Sequence, residues 1–400
     1  MPDITTIRAA FPSLSTPQVF FDNAGGSQTL GTVISSVTSH YTTSNVQLGA
    51  SYPASQRATA GYTAAFDSAA RYLNCPSSRI VFGPSSTQLL RNLSHALLPF
   101  EPGDEVVVSL ADHESNISPW IDLVARQSLV VRWHRPSSPA SDAGDITSLF
   151  TARTRLVAVT HASNILGTVN PIRRIADAAH AVGALLAVDG VAYAPYGPID
   201  VRELGADFYV FSWYKVFGPH IATLYVSDAV FPRVRSLGHY FHPTDTLDGK
   251  LGLAAASYEL LQAVPPVVDY LGAPDGEMRR WMAVQHLEVT APLLVYLAAN
   301  EKRYTVHGKP EAGPDRTPVV SFSVKGWSSK AVVEAIGEVS DFGLKWGHFY
   351  CPRLVGDILG LLGEGHDGVV RVSLTHYNTV EEVESFIKVL DSVVSSRDSV

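Results

Sequence analysis

Short apolar runs alternate with amphipathic stretches between residues 80 and 230, and this alternation limits the possible fold more than any other feature of the sequence. RIVFG (79–83) precedes STQLLRNLSHALL (86–98), and TRLVAVT (154–160) precedes PIRRIADAAHAVG (171–183). Further apolar runs are DEVVVSL (104–110), ALLAVD (184–189), ADFYVFS (206–212) and IATLYV (221–226). Strands that alternate with helices in this way predict an α/β fold with a large, mostly parallel, doubly wound sheet.

The pattern changes after about residue 260, which indicates a second part of the chain. Longer helical stretches come first, followed by TPVVSFSV (317–324), VVRVSLTHY (369–377) and a final helix that can start at TVEEVESF (379–386). We therefore predict a large domain over residues 15–260 and a smaller C-terminal α/β domain over residues 261–400, completed by residues 1–14. A chain of 400 residues with 46% hydrophobic content is long and apolar enough to fill both cores.

The net charge and the number of cysteines limit the classes of molecule that the protein is expected to bind. The formal net charge of -8 argues against nucleic acid, because neutralising phosphates requires an excess of lysine and arginine. The two cysteines, Cys75 and Cys351, are too few for a disulfide framework and lack the spacing of a zinc site, so no metal is expected. No signal-like segment or uninterrupted apolar stretch of about 18 residues stands out. These observations predict a cytoplasmic protein that binds small molecules rather than nucleic acid or a membrane.

Polar residues follow most of the apolar runs at the points where the strands end. They are Ser86, Thr87, His113, Asn164, Asp189, Ser212 and Lys215. Each has an ordinary alternative when taken alone: a helix cap, a loop histidine, a turn aspartate, or a lysine whose stem lies along the surface. Ligands of open α/β sheets, however, bind beyond the carboxyl ends of the strands. The convergence of these residues on one edge of one sheet therefore favours a binding site.

The residue types at this edge match the needs of pyridoxal 5'-phosphate (PLP). A helix N-terminus with hydroxyl side chains, here Ser86 and Thr87, binds a phosphoryl group through free amide hydrogens and the helix dipole. A buried aspartate such as Asp189 can keep a pyridine nitrogen protonated, so that the ring accepts electrons. Lys215 lies in the aromatic and apolar stretch FSWYKVFGPH (211–220). Desolvation there lowers the pKa of an amine and favours imine formation with an aldehyde.

Several motifs, in order along the chain, resemble those of the class V aminotransferase family, which includes the cysteine desulfurases. They are FFDNAGGSQ (20–28), GPSSTQ (83–88), DHESN (112–116), VDGVAYAPYGPIDVRELGADFYVFSWYKVFGPH (188–220) and VRVSLTHYNTVEEVE (370–384). The resemblance covers nearly the whole chain and implies a fold type I PLP enzyme. It implies that Lys215 binds the cofactor covalently and moves protons, that Asp189 pairs with the ring nitrogen, and that His113, a second catalytic residue, stacks on the ring.

The same resemblance implies the remaining cofactor contacts. Asn164 would reach the phenolic oxygen alone, because Ala192 stands where relatives carry glutamine or histidine. The phosphate contacts implied are Ser86, Thr87, Ser212 and Tyr214. Family members are homodimers with shared active sites, and a threonine of the second subunit completes the phosphate site. The candidates in this sequence are Thr244 and Thr246 of HPTDTLDGK (242–250).

Substrate contacts are also implied by the resemblance. Arg371 would pair bidentately with the α-carboxylate of an amino acid, a task that suits a planar guanidinium. The other candidates are Asn23, Ala24 and Gly25 of the N-terminal motif, Arg57 as a second anion anchor, and Tyr350.

The sequence leaves the reaction open. A cysteine desulfurase needs a nucleophilic cysteine on a mobile loop, but in KWGHFYCPRL (345–354) Cys351 is displaced by one position and Tyr350 takes its place. The elements DGVA, FSWYK, LDGKL and VRVSLTHYNTVEEV are most similar to those of the decarboxylative aldolases of the family. This likeness implies addition of the β-carbon of L-aspartate to an aldehyde, giving a γ-hydroxy amino acid. A cysteine desulfurase or carbon-sulfur lyase, and an amino-acid epimerase, are the alternatives. A binding protein without turnover is disfavoured by the intact Lys215, Asp189 and Arg371.

Overall fold

The computed structural model describes residues 2–397 of the chain. Its α-helices are α1 (Ile4–Ala9), α2 (Gly31–Thr43), α3 (Pro53–Leu73), α4 (Ser86–Ala96), α5 (Ser118–Gln127), α6 (Ile172–Ala181), α7 (Val201–Leu204), α8 (Leu247–Leu251), α9 (Tyr258–Leu261), α10 (Val264–Leu271), α11 (Glu277–Ala299), α12 (Ser329–Val339) and α13 (Val380–Arg397). Its strands are β1 (Val19–Phe20), β2 (Ile80–Gly83), β3 (Glu105–Ser109), β4 (Val130–His134), β5 (Thr154–Thr160), β6 (Leu185–Asp189), β7 (Phe208–Ser212), β8 (Ala222–Val226), β9 (Tyr304–His307), β10 (Val319–Val324), β11 (Phe342–Gly343), β12 (Lys345–Gly347), β13 (Leu362–Gly363), β14 (His366–Asp367) and β15 (Val369–Ser373).

A seven-stranded sheet forms the centre of the molecule, with the strand order β2-β8-β7-β6-β5-β3-β4. Strand β8 runs antiparallel to both of its neighbours, and the other pairs are parallel. The predicted α/β fold with a mostly parallel, doubly wound sheet is confirmed. The carboxyl ends of β3, β5, β6 and β7 therefore meet along one edge.

Helices cover both faces of this sheet, which explains why its central strands are apolar along their whole length. Successive residues of a strand enter opposite cores: Val107 packs into the cluster that contains α3, α6 and α10, whereas Val106 and Val108 pack into the cluster that contains α4 and α5. Such two-sided burial holds the strand ends, and the side chains that follow them, in place.

A second, antiparallel sheet has the strand order β12-β15-β10-β9. Helices α11, α12 and α13 supply the apolar side chains that pack against it. The N-terminal segment reaches this part of the chain, since Arg8 Nη1 donates to Glu382 Oε1 and to the Tyr377 carbonyl, both at 2.8 Å. Beyond residue 260, however, α10 packs into the core of the large sheet, with Val264 and Leu271 fully buried there. The boundary at residues 260/261 stays a prediction.

Helix α11 is long and apolar enough, by length and composition, to cross a membrane. Met282, Val289, Leu293 and Leu297 on this helix are buried, and the last three pack in the core of the second sheet. This packing is that of a core helix.

Candidate active site

Two connected chambers lie at the carboxyl edge of the large sheet. The inner one, about 80 Å³, reaches the ends of β6 and β7 and the start of α4. The outer one, about 650 Å³, extends toward β12 and β15 of the second sheet, a size suited to a small-molecule ligand. Both are lined by Thr87, His113, Ser115, Asn164, Tyr214 and Lys215.

Lys215 ends a single 3-10 turn, Trp213–Lys215, directly after β7. Its side chain is buried, and burial together with the positive charge of Arg371 lowers the pKa of the amine to about 8. Two residues later Phe217 has a φ of 61°, a strained value for a bulky residue. Ser27 Oγ accepts a hydrogen bond from the Phe217 amide at 2.8 Å and holds this turn. The turn thus presents a partly neutral amine to both chambers.

Asp189 is the last residue of β6 and lines the inner chamber. One carboxylate oxygen, Oδ1, accepts a hydrogen bond from the Val191 amide at 2.9 Å. Burial raises the pKa of the carboxyl to about 6, although the nearby Lys215 opposes this shift. A carboxyl with one free oxygen in a dry site is able to bind a protonated ring nitrogen.

Hydroxyl groups line the inner chamber where α4 begins. Ser86 Oγ and Ser212 Oγ lie 2.7 Å apart, and Thr87 lines both chambers. Ser85 caps the helix by accepting a hydrogen bond from the Gln88 amide. The first-turn amides of Ser86 and Thr87 are thus available for a phosphate.

His113 and Asn164 face the cavity from the ends of β3 and β5. His113 Nδ1 accepts a hydrogen bond from the Ser115 amide at 3.1 Å, which fixes the ring. Burial, with the charges of Lys215 and Arg371, lowers the pKa of His113 to about 4. The imidazole is therefore neutral near pH 7. Asn164 donates from Nδ2 to the Phe349 carbonyl at 3.1 Å.

Arg371 lies on β15 and is buried at the wall of the outer chamber. Its Nη2 donates to Asp22 Oδ1 at 2.7 Å, its Nη1 donates to the Asn164 carbonyl at 3.2 Å, and its Cζ lies 3.7 Å from the centre of the Phe349 ring. A Cβ atom on Gly25 would lie 2.8 Å from Asp22 Oδ2. Glycine at position 25 thus leaves room for the carboxylate that holds Arg371.

Residues 345–350 line the outer chamber and are here called the mouth segment. Phe349 and Tyr350 have φ values of 46° and 59°, which are uncommon for aromatic residues. The Glu114 amide donates to the Tyr350 carbonyl at 2.8 Å, and an ion pair joins Glu114 to Arg353. Contacts on both sides thus hold the segment in a strained conformation.

Cys351 is 1% exposed and packs with apolar residues such as Ile165 and Leu354. Its Sγ donates to Asn164 Oδ1 at 3.1 Å. Burial raises the pKa of the thiol to about 12. A thiol held in this way is a packed side chain and a poor nucleophile.

The structure brings together most of the predicted site residues. Those that line one chamber or both are Ser86, Thr87, His113, Asn164, Asp189, Ser212, Tyr214, Lys215, Ala24, Gly25, Tyr350 and Arg371. Two predicted substrate contacts lie elsewhere. Arg57 is exposed on α3 and donates to the Thr43 carbonyl, because its helix turns it toward solvent. Asn23 is buried, and its amide is used up by Ser373, Asn378 and Tyr377. Neither residue lines a chamber of its own chain, and their contacts with the substrate stay predictions.

Thr246 and Thr244 also lie outside the cavity of their own chain. Thr246 caps α8 by accepting a hydrogen bond from the Gly249 amide at 3.0 Å, and Thr244 is exposed. A contact with the phosphate of a second subunit stays a prediction.

The described residues of the site include several that were not predicted from the sequence, among them Asp22, Ser115 and Lys345. Asp22 and Ser115 belong to the recognised motifs FFDNAGGSQ and DHESN. Lys345 carries no local signal, since strand pairing with a residue far along the chain brings it to the cavity.

The side chains present fit PLP. Lys215 lines both chambers and has no hydrogen-bond partner in residues 2–397, so its amine is available for the aldehyde. Asp189 would hold the ring nitrogen, and His113 would cover the ring. The Ser86 hydroxyl at the start of α4 and the Ser212 hydroxyl at the end of β7 would hold the phosphate. When bound, the cofactor accepts the electrons released at the carbon atoms of an amino acid.

The mostly parallel sheet, with an amine, a carboxylate and a phosphate-binding helix start at its carboxyl edge, defines a PLP-dependent enzyme of fold type I. A sequence profile of this class, described as aminotransferase class-V, matches residues 19–386. The chain belongs to the class V aminotransferase family, and PLP is its cofactor.

Individual relatives agree with this assignment. The chain is 50% identical to the aminotransferase-like protein FGM3 of Gibberella zeae, over 98% of each chain. It is 37% identical to the cysteine desulfurase-like protein ustD of Aspergillus flavus, over 98% of this chain and 91% of the relative. Among solved structures, an apo cysteine desulfurase from Thermococcus onnurineus superposes with a TM-score of 0.88 at 22% identity, over 99% of both chains.

Proposed function

We propose that this PLP enzyme catalyses decarboxylative aldol addition of L-aspartate to an aldehyde, giving a γ-hydroxy amino acid. The observation that carries the proposal is the state of Cys351: the thiol is buried, protonated and hydrogen-bonded to Asn164, so it is poorly placed to accept sulfur. The lysine, aspartate and arginine needed for chemistry on an amino acid all line the cavity. The motif likeness to decarboxylative aldolases supports the same reaction.

The overall reaction balances without an oxidant or a metal. The bond between the β-carbon and its carboxylate breaks, and the carboxylate leaves as carbon dioxide. The electron pair left at the β-carbon forms the bond to the aldehyde carbon, and the aldehyde oxygen takes up a proton.

Each side chain has a defined task in this proposal. Arg371 binds the α-carboxylate of the substrate through the guanidinium that Asp22 orients. Lys215, with its lowered pKa, accepts the α-proton near neutral pH and returns a proton later. The mouth segment limits the access of water, which would otherwise protonate the β-carbon before the aldehyde reacts.

We also propose that the enzyme is a homodimer with shared active sites. Tyr240 is 99% exposed and Phe241 is 67% exposed on the loop that leads to Thr244 and Thr246. Exposed aromatic side chains at this density are typical of a protein interface. A second copy seated on this loop would cover them and bring the two threonines toward a neighbouring cavity.

The decisive experiment offers the holoenzyme L-aspartate with and without an aldehyde, and separately L-cysteine. We expect carbon dioxide and a new amino acid from aspartate plus aldehyde. Cys351→Ala should keep this activity within about twofold, because the thiol takes no part in the chemistry. Cys75→Ala, at the other cysteine, is the matched control.

Two results would contradict the proposal. One is the absence of any change in the cofactor spectrum and of carbon dioxide when aspartate is added. The other is sulfide release from cysteine by the wild type that Cys351→Ala abolishes and Cys75→Ala does not, which would establish a desulfurase.

A further inference from the structure

Lys345 and Arg371 are direct cross-strand neighbours on β12 and β15. Residues directly opposite each other in an antiparallel pair project from the same face, with Cβ atoms about 5 Å apart. Both residues line the outer chamber. The pairing therefore places a flexible ammonium group beside the guanidinium that binds the α-carboxylate.

The charges of the outer chamber leave Lys345 without a protein counter-ion. Asp22 is engaged by Arg371, and Glu114, which lines the chamber, is engaged by Arg353. No carboxylate of residues 2–397 forms an ion pair with Lys345. The chamber thus holds an ammonium group that no carboxylate of the described residues neutralises.

We propose that Lys345 binds the β-carboxylate of an acidic amino acid while Arg371 binds its α-carboxylate. The two carboxylates of aspartate are separated by two carbon atoms, and the four-carbon stem of lysine spans the gap between the neighbouring strands. Neutral amino acids leave this ammonium group unpaired. This inference rests on the proposed function, which supplies aspartate as the substrate. Lys345 is then the residue that selects an acidic amino acid.

The chemistry predicts how Lys345 contributes. The β-carboxylate is negatively charged in the bound substrate and loses its charge as carbon dioxide leaves. An ammonium group beside it stabilises the bound substrate at least as much as the transition state, so it strengthens binding without raising the rate of the chemical step. Loss of Lys345 should raise KM and leave kcat unchanged or slightly higher.

The test measures binding to the holoenzyme by calorimetry, with succinate and butyrate as unreactive probes. Succinate has two carboxylates and butyrate has one, and neither has an amino group to react with the cofactor. We expect Lys345→Met to weaken succinate binding about tenfold, the effect of losing one charge-assisted hydrogen bond. Binding of butyrate should not change. Lys330→Met, at an exposed lysine of α12, is the control and should bind both probes as the wild type does.

Failure of this inference can be told apart from failure of the proposed reaction. Equal affinity of the wild type for succinate and butyrate, or unchanged succinate binding in Lys345→Met, would overturn the role of Lys345 even if aspartate is decarboxylated. Binding of succinate that depends on Lys345, without carbon dioxide from aspartate, would support the acidic substrate class and refute the aldol reaction.

Discussion

Lys215 and Asp189 are ionisable groups that the fold removes from water, and their pKa values shift toward the neutral forms. Burial lowers the pKa of the lysine to about 8 and raises that of the aspartate to about 6. Each shift has a use, because the neutral amine reacts with an aldehyde and the carboxyl in a dry site binds strongly to a protonated ring nitrogen. The free energy that is lost by burying these two ionisable groups thus produces the pKa values that the site needs.

The pKa of Lys215 predicts how the cofactor-free enzyme captures PLP. Only the neutral amine reacts, so the capture rate should rise by about tenfold per pH unit below pH 8 and level off above it. The return of the visible absorption band after PLP is mixed with the cofactor-free enzyme, followed from neutral pH to about pH 10, measures this rate. Lys215→Ala should show no band at any pH. A rate that keeps rising up to the ordinary pKa of lysine would contradict the assigned burial.

At the level of elements, the mouth segment shows how a strained backbone closes a site. Tyr350 is 69% exposed, yet its φ of 59° places a bulky residue in the left-handed region. Its carbonyl accepts a hydrogen bond from Glu114, and Cys351, which follows it, is fixed in the apolar cluster around Leu354. The conformation is imposed by these contacts on either side.

Substitutions at Tyr350 distinguish the effect of backbone strain on stability from the effect of losing the contacts of the side chain. Tyr350→Gly and Tyr350→Ala both remove the ring, but only glycine adopts a positive φ without steric cost. We expect the glycine variant to be about 1 kcal/mol more stable than the alanine variant, measured as the free energy of unfolding in urea. Equal stability of the two variants would mean that the strain is absent in solution.

Helices and strands that depend on local sequence patterns could be predicted from the sequence. The positions of the polar residues that follow the strands could be predicted as well. His113, Asp189 and Lys215 were placed correctly because the ends of parallel strands share one edge. Strand β4 was missed because it is an edge strand, with Val130 46% and Trp133 37% exposed, and lacks a continuous buried run. The Arg371–Asp22 ion pair and the position of Lys345 depend on contacts between distant parts of the chain, which no local pattern encodes.

At the scale of the whole molecule, exposed apolar side chains point to assembly. We expect the double substitution Tyr240→Ser and Phe241→Ser to shift the proposed dimer toward monomer, because these aromatic groups would form the apolar centre of the interface. Sedimentation velocity checks the change. Val295→Ser, at a residue 68% exposed on α11, is the control and should leave the assembly unchanged. A fully active wild-type monomer would refute shared active sites.

The ion pair between Arg371 and Asp22 has a kinetic consequence. Asp22 lies next to β1, near the start of the chain, and Arg371 lies on β15, so one internal carboxylate occupies the guanidinium before any substrate arrives. An incoming α-carboxylate must share or replace this partner, and the net affinity is then the difference between two similar interactions. A small difference favours weak binding and short residence times. An enzyme arranged in this way works best on a substrate that its surroundings supply in abundance.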